Sequence, residues 1–131
     1  MRFLMMWQPT ENAASLAPPP PGLMAAIDQL MADITRSGAL VDAGGMLPVP
    51  MGARLRLANG KVTVTDGPYT ETKELIGGYC IVEVGSPEEA LELARQFVLA
   101  HAQYGYEGES EVRQLLSPTD YDPTAPSGIP S

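Results

Sequence analysis

The sequence predicts an α+β domain, built as a split β-α-β unit with helices on one face of a mainly antiparallel sheet and with an inserted β-hairpin. Two segments of helical period each follow an apolar segment typical of a strand. An Asn-Gly pair separates two alternating runs, as in a tight hairpin. A length of 131 residues suits one domain, and a composition that is 44% hydrophobic and 18% charged excludes wholesale disorder.

Composition also excludes several classes of function. Sixteen acidic and eight basic residues give a net charge of −8, which repels nucleic acids and anionic membranes, so we expect no direct binding to either. The apolar run at residues 3–7 is too short for a signal peptide or a membrane span. Cys80 and His101 are the only soft metal ligands, so we expect no metal or other cofactor. A single cysteine fits a cytoplasmic protein.

The first half of the chain predicts a strand, a helix and a second strand. Residues 2–7 are apolar on both faces, which is typical of a central strand or an interface. After a proline-rich loop, a helix is expected from about residue 22 to residue 37, ended by Gly38. Its apolar stripe consists of Leu23, Ile27, Leu30 and Ile34. A second extended segment begins at residues 39–41 and is broken by the glycines at 44–45.

A hairpin is expected over residues 54–65. Asn59 and Gly60 favour a two-residue type I′ turn, since both tolerate positive φ. The resulting register pairs apolar with apolar side chains, namely Leu57 with Val62 and Leu55 with Val64. Arg54 and Arg56 then share the polar face, and Lys61 is placed on the other face.

The second half repeats the pattern of strand, helix and strand. A strand over residues 77–84 opens with Gly77 and Gly78, which leave room for another backbone or a ligand. Ser86 as N-cap, followed by Pro87 and Glu89, predicts a helix to about residue 103. Its buried residues are expected to be Ala90, Leu91, Ala94, Phe97 and Val98. A last strand follows at 109–116. We expect a domain over residues 1–116 and a flexible, proline-rich tail over 117–131.

The predicted sheet has more apolar surface than two helices can cover. The strands at residues 2–7 and 79–84 carry apolar side chains on both faces. An exposed apolar sheet face marks an interface. We therefore expect a homodimer with the two sheets face to face.

Polar residues are dense between the hairpin and the next strand, beginning with Asp66, Gly67, Pro68 and Tyr69. One interpretation is a turn, in which the Asp66 carboxylate accepts from a following backbone amide. The other is a cleft, in which Asp66 acts as a base or binds a hydrogen-bond donor beside Tyr69. The sequence leaves both open.

Residues 64–79, VTDGPYTETKELIGGY, resemble the signature of the YCII-related domain family, in the branch named for an Asp-Gly-Pro-Phe motif. Tyr69 stands here in place of the Phe. The resemblance extends more loosely over residues 1–116. It implies a ferredoxin-like fold that pairs into a dimeric α/β barrel.

The resemblance also implies chemistry. Family members with an activity resemble small lyases or hydrolases that act on ring compounds through a His on the first helix and an Asp. The predicted first helix contains no His, so Asp66 matches without its partner. His101 lies near the end of the second helix, where it can bind the last carbonyls or converge on the cleft. The branch is further linked to partners of transcription initiation factors.

Two functions follow as expectations. The first is a module, binding or accessory, with a small-molecule cleft around the Asp-Gly-Pro-Tyr motif. Its expected ligand-binding residues are Arg54, Arg56, Tyr69, Gly77 and Gly78. The alternative is a small lyase or hydrolase for an aromatic or carboxylated substrate, with Asp66 as acid–base and His101 as a further catalytic candidate.

Overall fold

The structure, a computed structural model, describes residues 1–9, 19–46, 52–66 and 76–116. The elements in chain order are β1 (Arg2–Pro9), α1 (Pro21–Arg36), β2 (Leu40–Gly45), β3 (Ala53–Ala58), β4 (Lys61–Asp66), β5 (Gly78–Glu83), α2 (Pro87–Ala102) and β6 (Gly108–Gln114). The proline-rich tail at 117–131 lies outside the described residues. None of the helices in these ranges is both long and apolar enough to cross a membrane.

Four strands form the main sheet, in the order β2-β5-β1-β6, with every neighbouring pair antiparallel. β5 thus lies between β1 and β2, the two strands that α1 connects. This is the split β-α-β arrangement of a ferredoxin-like fold, and the predicted fold class is confirmed. β2 continues through Gly44 and Gly45, which pair with Tyr79 and Gly78, so the expected break at the glycines is wrong.

The inserted hairpin, β3 and β4, forms a separate two-stranded sheet. Asn59 and Gly60 both have positive φ, 53° and 74°, as the type I′ turn requires. Leu57 pairs with Val62, so the predicted register is confirmed. The prediction that Lys61 lies on the face opposite the arginines is wrong. Lys61 pairs with Ala58, and Ala58 lies two residues from Arg56, so strand alternation puts Lys61 on the face of the arginines.

Local sequence fixes the limits of both helices. The backbone N–H of Glu89 donates to Oγ of Ser86 at 3.3 Å, and the N–H of Gly85 donates to Oε2 of Glu89 at 3.1 Å. The capping arrangement predicted for α2 is therefore present, with the second bond one residue before the N-cap. α1 ends before Gly38, which has a φ of +81°. Glycine is favoured at this position because other residues rarely adopt a positive φ.

The core lies between the two helices and one face of the sheet, which we call the inner face. The buried cluster consists of Phe3, Met5, Ile34, Cys80, Val82, Ala90 and Ala94. Leu91, expected in this core, is 56% exposed. It lies next to the buried Ala90 in the sequence, but the helix turns its side chain away from the sheet.

The opposite face of the sheet, the outer face, carries Leu4, Met6, Tyr79 and Ile81. All four alternate with core residues and are only half-buried. The Arg2 side chain pairs with Glu83 at the margin, with Nε and Oε2 3.1 Å apart. The strands are thus apolar on both sides, as expected, and the described residues of one chain cover only the inner side.

Candidate functional site

A cleft of about 560 Å³ opens between α1, α2 and the inner face of the sheet. α1 contributes Leu23, Met24, Ile27 and Met31 to its wall, all of them apolar. Such a volume lies in the ordinary range for small-molecule pockets, which extends from roughly 300 to 1,000 Å³. The cleft therefore has the size and the lining of a ligand site.

One end of the cleft is lined by glycines that follow each other on neighbouring strands: Gly44, Gly45, Gly77 and Gly78. A Cβ on Gly44 would lie 3.0 Å from a Tyr79 ring carbon, and one on Gly77 would lie 3.1 Å from Cδ1 of Trp7. Both distances are tighter than an ordinary contact. A side chain at either position would press on the neighbouring aromatic ring, because both rings pack directly on the backbone.

An aromatic group marks the same end of the cleft. The rings of Trp7 on β1 and His101 on α2 are stacked, with centroids 4.2 Å apart and planes inclined at 22°. Tyr106 meets the His101 ring edge-on, with centroids 6.1 Å apart. Trp7 and His101 both line the cleft. The imidazole is thus held by packing from one strand and from the segment that follows its own helix.

The main-chain carbonyl of Phe97 fixes the tautomer of His101. Nδ1 of His101 lies 2.8 Å from this oxygen. A carbonyl oxygen can only accept, so Nδ1 carries the proton and donates. In the neutral ring, Nε2 is then left with the lone pair, and it is the atom able to accept a hydrogen bond or a proton.

A tyrosine and a carboxylate pair beside the glycines. The O–H of Tyr79 donates to Oδ2 of Asp42 at 3.0 Å, while Oδ1 of Asp42 accepts from the N–H of Ala43 at 2.9 Å. This hydrogen bond and the negative charge of Asp42 raise the pKa of Tyr79 above its usual value. Tyr79 is therefore held neutral and committed to Asp42.

Cys80 is buried, with 6% of its surface exposed, and also lines the cleft. Burial, with a smaller contribution from the charge of Asp42, raises the pKa of its thiol to about 11. The protonated thiol is a poor nucleophile and a poor metal ligand. No cluster of metal-ligating side chains occurs within the four described ranges.

The predicted site residues divide into three groups. Gly77, Gly78 and His101 line the cleft. Arg54 and Arg56 lie on the exposed hairpin and are not among the residues that line it. Tyr69 and the side chain of Asp66 lie outside the described residues, so their roles stay predictions.

Sequence reasoning missed Trp7 and Phe97, whose side chains belong to the inner side of the sheet, as parts of a site. The sequence pattern indicates only that Trp7 is an apolar residue of a strand and that Phe97 is a core residue of α2. The available signal was the alternation of β1, which places Trp7 on the same face as Phe3 and Met5. The meeting of Trp7 with His101 depends on how far α2 extends over the sheet.

The family model of the YCII-related domain matches residues 1–115 of the chain. The chain belongs to the YCII-related domain family. The resemblance carried by residues 64–79 is thereby confirmed at the level of the family. Its Asp-Gly-Pro-Phe branch stays a prediction.

Two similar proteins can be described. An uncharacterized protein of Rhizobium meliloti (strain 1021) is 35% identical to this YCII-related chain over 79 residues, which cover 60% of the chain and 61% of that relative. A solved structure, 5-chloro-2-hydroxyhydroquinone dehydrochlorinase from Burkholderia phenoliruptrix AC1100 in complex with 2,5-dihydroxybenzoquinone, is 19% identical. The comparison covers 93% of this chain and 100% of that one, with a TM-score of 0.40.

Proposed function

We propose that this YCII-related protein is a cytoplasmic homodimer that binds a small, flat, largely apolar molecule in the inner-face cleft. The observation that carries the proposal is the cleft itself, whose wall is apolar and aromatic with few polar groups. Wide apolar walls supply affinity, and a few placed polar groups supply orientation. We take binding, not turnover, as the primary function because none of the described residues that line the cleft carries a carboxylate and Asp66 is a candidate by its motif alone.

His101 is the polar group that orients the ligand. Its stacked ring and its bond to the Phe97 carbonyl hold it in place before any ligand arrives. Nε2 then offers an acceptor to a hydroxyl or N–H group on the rim of a flat ring. The flat shape is favoured by the glycines at 44–45 and 77–78, which leave that end of the cleft without side-chain bulk.

The second candidate is a small lyase or hydrolase that acts on an aromatic or carboxylated compound. One observation favours it: Nε2 of His101 is also suited to take a proton from a ring hydroxyl. In this version Asp66 supplies the second acid–base group, as its motif predicts. The two candidates share the cleft and differ only in whether the ligand leaves changed.

The binding proposal can be tested with Trp7, which is the only tryptophan of the chain and lines the cleft. The ligands are 2-naphthol, which carries a hydroxyl donor, and its methyl ether, which does not. We expect both to change Trp7 fluorescence and to release heat in calorimetry. We expect 2-naphthol to bind roughly fivefold more tightly, since one hydrogen bond contributes about 1 kcal/mol.

His101→Phe is the discriminating variant, because it keeps a ring against Trp7 and removes Nε2. We expect it to bind both naphthalenes with the affinity of the methyl ether. Gln103→Ala, at the end of the same helix and outside the cleft lining, serves as the control and should bind like the wild type. Failure of both compounds to bind the wild type would contradict the proposal. An unchanged preference in His101→Phe would remove His101 from it.

A further inference from the structure

The β3–β4 hairpin has an apolar face that nothing described in the chain covers. Leu55, Leu57, Val62 and Val64 are 66%, 72%, 60% and 62% exposed, more than any other large apolar side chain of the described residues. Strand pairing brings the four onto one face of the hairpin. The hairpin makes no ladder with the main sheet. Since an isolated two-stranded hairpin is at best marginally stable in water, this one needs a surface to pack against.

The charge of the hairpin indicates what that surface is. The hairpin, residues 53–66, contains three bases, Arg54, Arg56 and Lys61, and one acid, Asp66, which gives a local charge of +2 in a chain of −8. The rest of the chain therefore carries −10. All three bases lie on the hairpin face opposite to the leucines and valines. A partner must offer apolar surface next to negative charge.

The chain itself presents such a surface on the outer face of its sheet. Leu4, Met6 and Ile81 form a half-buried apolar centre. Four carboxylates and two bases surround it on the same face, which leaves a net charge of −2 there: Asp42, Glu83, Glu109 and Glu111, with Arg2 paired to Glu83 and Arg113 paired to Glu111. The polyanion of a nucleic acid fits less well, because it offers no comparable apolar surface and is repelled by the charge of −10 on the rest of the chain.

We infer that the hairpin is a clasp, whose apolar face docks on the outer sheet face of a second copy of this chain while its basic face lies beside that copy's carboxylates. This inference rests on the proposed homodimer and extends it, because it assigns the contact to a particular element. By symmetry, each chain gives one hairpin and receives one. The charges contribute mainly to the rate and specificity of association, and the apolar side chains to affinity.

Sedimentation equilibrium of the full chain tests the clasp. Leu55→Ser/Leu57→Ser should raise the dissociation constant of the dimer at least about tenfold, since two central apolar contacts are removed. The matched control is Leu91→Ser/Leu99→Ser, which changes two leucines of α2 that are 56% and 50% exposed. This control should leave the dissociation constant unchanged. Circular dichroism of each variant confirms that the fold is kept.

A second pair of variants tests the charge. Arg56→Glu/Lys61→Glu reverses two bases of the clasp, and Arg36→Glu/Arg95→Glu reverses two bases of the helices as the control. We expect the hairpin pair to weaken the dimer more than the control does, and added salt to shrink the difference. Loss of dimer in both pairs alike would show only a general charge effect and would contradict the clasp.

The failures of the two proposals are distinguishable. A wild-type chain that sediments as a single copy overturns the homodimer and the clasp together. A wild-type dimer that neither hairpin variant weakens overturns the clasp alone and leaves the sheet interface standing. The hairpin of a single copy could also resist proteolysis and lose this resistance when residues 117–131 are removed. That result would show that the tail covers the apolar face of the hairpin, and it would also overturn the clasp.

Discussion

The inner and outer faces of β1 and β5 differ in burial although the centres of both strands are apolar on both faces. On the inner face, Phe3 is 4% exposed and Val82 is 0% exposed under the two helices. On the outer face, Leu4 and Ile81 are equally apolar and remain half-buried. A strand that is apolar on both faces therefore indicates that both are covered, and the described residues of one chain supply only one of the two covering layers.

The difference also explains why the cleft lies where it does. α1 and α2 seal the inner face around Val82, but toward Trp7 the wall consists of glycines and aromatic rings. A small-molecule site with ordered walls needs a covering layer that leaves part of the sheet uncovered. No described element covers the outer face, so this face suits a broad partner surface better than a small molecule.

The largest expected effect compares neighbouring methionines on opposite faces. Met5→Ala should lower the free energy of unfolding by about 2–5 kcal/mol, because Met5 is 4% exposed in the core. Met6→Ala should lower it by less than half as much in a single copy, because Met6 is already half in water. Urea denaturation at low protein concentration measures both. Equal losses would mean that the two faces are equally covered within one chain.

A charge on the outer face should separate association from folding. Ile81→Lys should abolish the dimer at micromolar concentration, because a lysine cannot be left unpaired in a desolvated interface. The single copy should keep its fold, since the side chain has access to water. Sedimentation and circular dichroism together measure this, with Leu99→Lys on α2 as the control. A persisting dimer would place the interface elsewhere.

The smallest effect concerns two adjacent residues, Cys80 on the inner face and Tyr79 on the outer. Burial raises the pKa of the folded thiol to about 11 from an ordinary value of 9.0, so the unfolded chain loses this proton first. Stability is therefore fully present below pH 9 and should fall as the pH rises toward 11. Cys80→Ala should flatten this slope. The pKa of Tyr79 is raised mainly by Asp42 and less by burial. Tyr79→Phe should therefore reduce the pH dependence of stability that remains in Cys80→Ala. An unchanged slope in Cys80→Ala would contradict the burial of the thiol.

Much of the fold could be predicted because its signals are local. Asn59 and Gly60 determine the turn and with it the register of the hairpin, and Ser86 determines where α2 begins. The errors concern positions that local sequence leaves ambiguous. Leu91 is apolar and adjacent to buried Ala90, but the helical turn, not apolarity, decides which of them meets the sheet.

The site could be predicted only in part, because it is assembled from distant elements. His101 and the glycines at 77–78 were singled out, yet their partners, Trp7 and Phe97, came from a strand and from a helix interior whose patterns indicate only burial. Arg54 and Arg56 were assigned to a ligand because they share a face. The structure places that face on the hairpin, away from the cleft lining.

Sedimentation equilibrium of the unmodified chain across micromolar concentrations tests most directly whether the uncovered sheet face is an interface. We expect a particle with twice the mass of one chain that dissociates only on dilution. A particle with the mass of a single chain throughout that range, with the protein soluble and folded, would contradict it.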